Sequence, residues 1–248
     1  MIARFYDYPL EEEKEGALVP QSYDFKVQDL TFVPNYKFDF EFKQGTKNLI
    51  LLKSFSSLDH FYDALMGFSD HTSGNVYFDG KLLQDLDIGE IRNHVQIIAH
   101  DQFFAGTILE NLSGLGKDLS FTLTEIHEVL KRVGLFDNIM SLPNQLQTEI
   151  KPNGFPLTKS QLLAIQIGRA ILLQPKILLV TPDYEQISSY KRKIIYSELI
   201  GTHNPWTLLF FTQRFYKANF DRYTVFERSE MRELSGEAEL LKEIEVYG

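Results

Sequence analysis

Cysteine is absent from this 248-residue chain, which excludes disulfides and thiolate zinc sites and leaves the redox compartment unreadable from thiols. The six histidines are scattered without metal-ligand spacing. No apolar run approaches the roughly 18 residues needed to span a bilayer. No signal-peptide pattern is visible either, so the chain is expected to be soluble. Basic residues are outnumbered: 25 Lys and Arg face 34 Asp and Glu, a net charge of -9, which argues against nucleic acid as a partner. Repeats and low-complexity stretches are missing, and so is any G-x-x-x-x-G-K phosphate loop.

What is present describes an ordinary globular chain, 44% apolar and 24% charged, long enough for one large domain or two small ones. The 20 Phe and 12 Tyr are not interleaved with a basic stripe, so they are expected to fill a core and cover an interface rather than stack on bases. Residues 1–22 are polar, with an acidic run from Glu11 to Glu15, and read as a linker or lead-in.

"YDFKVQDLTFV" and "KFDFEFKQG" alternate apolar and polar residues, as half-buried antiparallel strands do. "NLILL" (Asn48 to Leu52), "VQIIA" (Val95 to Ala99), "KILLV" (Lys176 to Val180) and "WTLLFFT" (Trp206 to Thr212) are short continuous apolar runs, the mark of strands covered on both faces. "GNVYFDGK" is a further strand turning at Asp79-Gly80. Helical patterns cover "LDHFYDALMG", ended by Gly67, then Leu123 to Val133, Lys159 to Leu173 and Ser189 to Ile200. Strands alternating with helices predict an α/β protein with a parallel central sheet and antiparallel pieces at its N-terminal end. Gly74 and Gly154 read as turn glycines.

"LLKSFSSLDHFYDALMGF" (Leu51 to Phe68) has the outline of a phosphate-binding loop, strand then loop then helix, without the glycines or the lysine. Four stretches place it. They are "TSGNVYFDGKLLQDLDIGEIRNHVQIIAHDQFFAGTILENL", "LPNQLQTEIKPNG", "LTKSQLLAIQIGRAILLQPKILLV" and "TLLFFTQRF". In that order and spacing, from about Tyr23 to Glu230, the chain resembles the nucleotide-binding domain of an ABC transporter of the exporter or peptide/toxin-secretion type. The resemblance implies a P-loop NTPase-like α/β fold. It implies a parallel core, an N-terminal antiparallel β subdomain and a helical subdomain at about 101–172, all within a domain spanning 23–248.

The family's ATP-site residues are then sought position by position. Registered on Gly67 and Thr72 to Gly74, the phosphate loop becomes Ser54, Phe55, Ser56, Ser57, Leu58, Asp59 and His60. Leu52 and Ser57 fall at the motif glycines, Leu58 at the lysine, and Asp59 at the magnesium hydroxyl. Thr181 and Pro182 stand where the magnesium aspartate and catalytic glutamate belong, His100 at the Q-loop glutamine and Gln213 at the switch histidine. The signature is Leu157, Thr158, Lys159, Ser160 and Gln161, of which only Leu157 and Gln161 match. Tyr36 lies near the position of the adenine-stacking aromatic, where core or surface packing is the alternative. Asp183 and Glu185 read as a solvated turn after Pro182 rather than as replacement carboxylates. Lys159 is either a surface lysine or a cation for a phosphate on a partner's nucleotide.

A hydrogen bond to a charged group is worth roughly 1.5–3 kcal/mol. Loss of the lysine and both magnesium-side ligands therefore costs at least about a thousandfold in affinity. Ser57 as N-cap and Asp59 in the first turn would satisfy the helix N-terminus that a phosphate otherwise satisfies, and Phe55 would occupy its volume. The expectation is a pseudo-ATPase with a structural, dimer-forming role, binding Mg-ATP weakly if at all and holding no metal. Its partners would be a membrane domain, in the same or a separate chain, and a second nucleotide-binding domain, at the cytoplasmic face of a membrane. Two alternatives stay open: the non-catalytic half of an asymmetric ATPase, and a soluble interaction module without a transporter.

Overall fold

Alternating sequence yields the first sheet. In the computed structural model, which describes residues 16–32, 36–53, 58–68, 73–114, 121–187, 189–214, 219–227 and 230–245, β1 (Phe25–Phe32) pairs antiparallel with β2 (Tyr36–Phe42). The continuous run that follows becomes β3 (Lys47–Leu52), buried along its whole length. After α1 (Leu58–Leu65), β4 (Ser73–Phe78) returns to pair with β1, and β5 (Lys81–Leu82) completes a four-stranded sheet in the order β2-β1-β4-β5.

β1 carries a register shift at Asp29, whose φ is +49°, against both of its neighbours. Gly74 sits opposite this bulge. A Cβ there would lie 2.3 Å from the Asp29 carbonyl oxygen, and φ is +93°. Gly74 is thus a strand glycine forced by close backbone approach, not the turn glycine its neighbours suggested.

The chain continues through α2 (Ile88–His94), capped by Asp87, into β6 (Val95–Ile98). β7 (Gly106–Thr107), α3 (Ile108–Ser113), α4 (Leu123–Arg132), α5 (Phe136–Met140) and β8 (Glu149–Ile150) come next, β7 and β8 forming a two-residue antiparallel pair. α6 (Lys159–Leu173) precedes β9 (Ile177–Val180), and α7 (Ser189–Ile200) precedes β10 (Thr207–Thr212). β11 (Arg222–Glu227), β12 (Glu230–Leu234) and α8 (Glu237–Glu245) end the chain.

Two compact units result. One comprises residues 12–96, 175–181 and 205–248; the other comprises 1–11, 97–174 and 182–204. The first unit is sheet-rich. Its larger sheet runs β12-β11-β3-β10-β9-β6; β11, β3, β10 and β9 are mutually parallel and β12 closes one end antiparallel. The buried strands β3, β9 and β10 are the continuous apolar runs of the sequence. Its aromatic residues form a linked core: Phe25 lies 5.3 Å from Phe42 and 5.9 Å from Phe78, while Phe61 bridges Phe40 at 5.2 Å and Phe211 at 5.8 Å. This is the packing role expected of them.

The second unit is helical. α6 is its centre, with nine buried residues from Leu162 to Ile171, and packs against α3, α4 and α7. Capping boxes start three of its helices, at Thr107 with Glu110, Thr122 with Glu125 and Thr158 with Gln161. Among the described residues no helix is long and apolar enough to cross a membrane.

Candidate functional site

Parallel sheets bind ligands outside the carboxyl ends of their strands. In the sheet-rich unit the register sets those ends side by side: Leu51 of β3 pairs with Thr212 of β10, Leu52 with Phe226 of β11, and Val180 of β9 with Phe210. Thr181 and Gln213 therefore follow neighbouring strands at one end of the sheet, as does Lys53 after β3. Thr181 is partly buried, and Gln213 is exposed.

The turn after β10 is closed locally. Thr212 Oγ1 accepts from the Arg214 amide at 3.0 Å and donates to the Arg214 carbonyl at 2.9 Å. Helix α1 begins at Leu58, the residue the sequence register sets against a phosphate-binding lysine. Ser54, Phe55, Ser56 and Ser57 lie outside the described residues, as do the side chains of Asp59, His60 and Tyr36, so the expected capping by Ser57 and plugging by Phe55 are not addressed by this structure.

In the helical unit the structure joins two residues that the sequence left apart. His100 Nδ1 lies 3.2 Å from Asp183 Oδ2, and the His100 amide donates to the same oxygen at 3.0 Å. The other carboxylate oxygen accepts from Gln186 Nε2 at 2.9 Å. Pro182 and Tyr184 are buried in the short 3-10 turn Pro182–Gln186, and the Tyr184 hydroxyl donates to the Arg192 carbonyl at 2.6 Å. The segment after Pro182 is thus a packed, hydrogen-bonded turn rather than the solvated one the sequence suggested. Proline at its first position supplies a fixed φ and needs no amide partner.

The residues aligned with the signature in the sequence, Leu157 to Gln161, form a capped helix start. Thr158 Oγ1 accepts from the Gln161 amide at 3.3 Å, and Gln161 Oε1 accepts from the Thr158 amide at 2.8 Å. Gln161 is therefore turned back on its own helix. Thr158 and Lys159 are exposed; Leu157, Ser160 and Gln161 are partly buried. Gly154 keeps its expected turn role, with φ +87° and Leu162 only 2.7 Å from a hypothetical Cβ.

Sequence reading missed Arg169. Its guanidinium donates through Nε to the Asn111 carbonyl at 2.6 Å, through Nη1 to the Gln102 carbonyl at 3.3 Å and through Nη2 to Asn111 Oδ1 at 3.3 Å. Burial lowers its pKa to about 10. Asn111 completes the knot by accepting from the Phe104 amide at 3.1 Å and donating to the Phe104 carbonyl at 2.9 Å. This ties the loop after β6 to α6. One arginine inside the apolar run "LLAIQIGRAILL" was the available signal. Lys47 at the amino end of β3 was also missed: it is 6% exposed, its ammonium donates to the Trp206 carbonyl, and burial lowers its pKa to about 8.

No family model matches the chain. It is 28% identical over 210 residues to the ABC transporter aclQ of Aspergillus oryzae, covering 80% of this chain and 26% of that protein. It is also 28% identical over 183 residues to the leptomycin B resistance protein pmd1 of Schizosaccharomyces pombe, covering 70% of this chain and 13% of that protein. The chain is homologous to ABC transporters.

Structural comparison agrees on the fold. A bacterial Atm1-family ABC exporter with ATP bound matches 98% of this chain and 44% of its own, with a TM-score of 0.82 at 21% identity. The fold is therefore that of an ABC ATPase domain, with a parallel core and an antiparallel β subdomain. The chain spans about a quarter or less of the two ABC transporter relatives.

Proposed function

We propose that this chain acts as the nucleotide-binding-type domain of an exporter and has lost ATP hydrolysis, serving a structural role in a transport assembly. The observation that carries this reading is the end of β9, where Thr181 and the buried Pro182 follow Val180. Neither residue offers a carboxylate for magnesium or for activating water, and phosphoryl transfer depends on such charge and positioning. Leu58 at the start of α1 supplies no cation. The donor set does not fit Mg-ATP, so no catalytic step is assigned to it. The internal pairing of His100 with Asp183, and of Gln161 with Thr158, supports the same reading, because each polar group has a partner inside the chain.

In this reading the partners are an exporter membrane domain and a second nucleotide-binding domain, and the chain works at the cytoplasmic face of the membrane. Titration calorimetry with Mg-ATP tests the proposal. Binding weaker than about 10 μM is expected, and a tighter constant, the level of an intact site, overturns it.

A second reading draws on Lys159, which is exposed at the first position of α6. A cation there is unfavourable for the helix dipole, which favours a role towards an anion. In that case this chain completes an ATP site whose phosphate loop belongs to a partner domain. Lys159→Ala in the assembled transporter would then lower ATPase activity and leave isolated-domain stability unchanged; unaltered activity excludes it.

A further inference from the structure

Lys53 directly follows β3, and its ammonium reaches the helix α8. It forms an ion pair with Glu243 of α8 and lies 3.6 Å from Glu227 at the end of β11. Glu243 is shared with Arg232 of β12, and Arg232 also meets Glu239 of α8 at 2.9 Å. Glu239 in turn accepts from the Ser235 amide at 2.8 Å and the Ser235 hydroxyl at 2.9 Å. The result is a chain of alternating charges, Glu227-Lys53-Glu243-Arg232-Glu239, crossing β11, β3, β12 and α8. All of it lies within the sheet-rich unit.

α8 packs through both apolar and charged side chains, with Leu240 buried and Ile244 partly buried. Leu240 is its fully buried apolar side chain, while Leu241 is 38% exposed. The Glu243 side chain is only 19% exposed and that of Lys53 only 11%. A nine-residue helix is too short to be stable on its own and needs its docking contacts. The Glu243 carboxylate lies on the packed side with Leu240 and Ile244, so ionic contacts join apolar ones in that docking.

We propose that α8 is a charge-latched strap: Glu243, held between Lys53 and Arg232, clamps the C-terminal helix onto the carboxyl end of β3 and the β11–β12 hairpin, and loss of that carboxylate or its screening releases the helix. The inference does not depend on whether the chain hydrolyses ATP.

Hydrogen–deuterium exchange on the intact chain tests it. Glu243→Gln should speed amide exchange in α8 and β12 by at least about tenfold while β9 and β10 stay protected. Raising salt from about 0.1 M to about 1 M, which shortens the screening length from about 10 Å to about 3 Å, should do the same in the unmodified protein, with the exposed Arg232 links yielding before the buried Lys53 link. Unchanged exchange in α8 under both treatments overturns the proposal. Release by Leu240→Ala with no response to Glu243→Gln overturns it as well, since docking would then be apolar.

Discussion

Asp183 holds His100 twice through one oxygen, at 3.2 Å to the ring Nδ1 and 3.0 Å to the backbone amide. The two interactions differ in kind. The ring is more than half exposed, so its link to the carboxylate resembles a surface pair, worth about 0–1 kcal/mol. The amide bond also anchors the start of the loop that follows β6. Asp183→Ala should therefore destabilise the chain by about 1 kcal/mol, and His100→Ala by less than about 0.5 kcal/mol. Denaturant midpoints compare them; equal losses would show that the ring, not the amide, is the substance of the contact.

Arg169 uses its fork, donating to two carbonyls and a side-chain amide oxygen from a half-buried position. Lysine keeps the charge and loses that geometry. Arg169→Lys should cost about 2–4 kcal/mol, because carbonyls of Gln102 and Asn111 lose donors in a buried setting. A lysine variant as stable as the parent would mean that charge alone suffices.

Lys47 sets a pH dependence with a definite sign. Burial lowers its pKa from 10.5 to about 8, with Asp221 opposing. Between these values the unfolded chain binds more protons than the folded one, so the Lys47 contribution to stability rises with pH across that window. Tyr23 and Tyr62 act the other way. Burial raises both to about 12, and their contribution falls as pH rises above 10. Lys47→Met isolates the lysine, since the tyrosines are common to both proteins. Its stability relative to the parent should fall by about 2–3 kcal/mol from pH 7 to pH 10. Parallel stability curves would refute the buried charge.

Leu58→Lys places a lysine at the start of α1. On the proposed reading no ATPase activity is expected, because Thr181, Pro182 and Gln213 would still supply neither a metal ligand nor a group to hold water. Phosphate release above a no-protein control would place the catalytic groups elsewhere in the chain.

Local patterns were readable wherever one physical rule dominated. The apolar runs at Asn48 to Leu52 and Trp206 to Thr212 became buried parallel strands, and α6 and α7 took the spans their patterns predicted. α2 and α3 passed unread because seven- and six-residue helices show too little periodicity, although Asp87 with Glu90 and Thr107 with Glu110 marked their starts. Gly74 was misjudged because its reason, the bulge at Asp29, lies on another strand. His100 with Asp183, Arg169 with Asn111 and Lys53 with Glu243 are partners 83, 58 and 190 residues apart, and no local pattern encodes such pairs.

The place of β3 has a consequence for how the chain is made. Its two neighbours, β10 and β11, come from the last fifth of the sequence, and Asn48 meets Leu208 across 160 residues. During synthesis β3 emerges early and stays without either neighbour until the C-terminal strands follow. Such non-local pairing slows folding. Leu49, Ile50, Leu51 and Leu52 meanwhile form an apolar strand with open edges, the kind of surface that invites chaperone binding or aggregation. Truncation anywhere before Glu227 should therefore leave an insoluble product rather than a smaller folded domain.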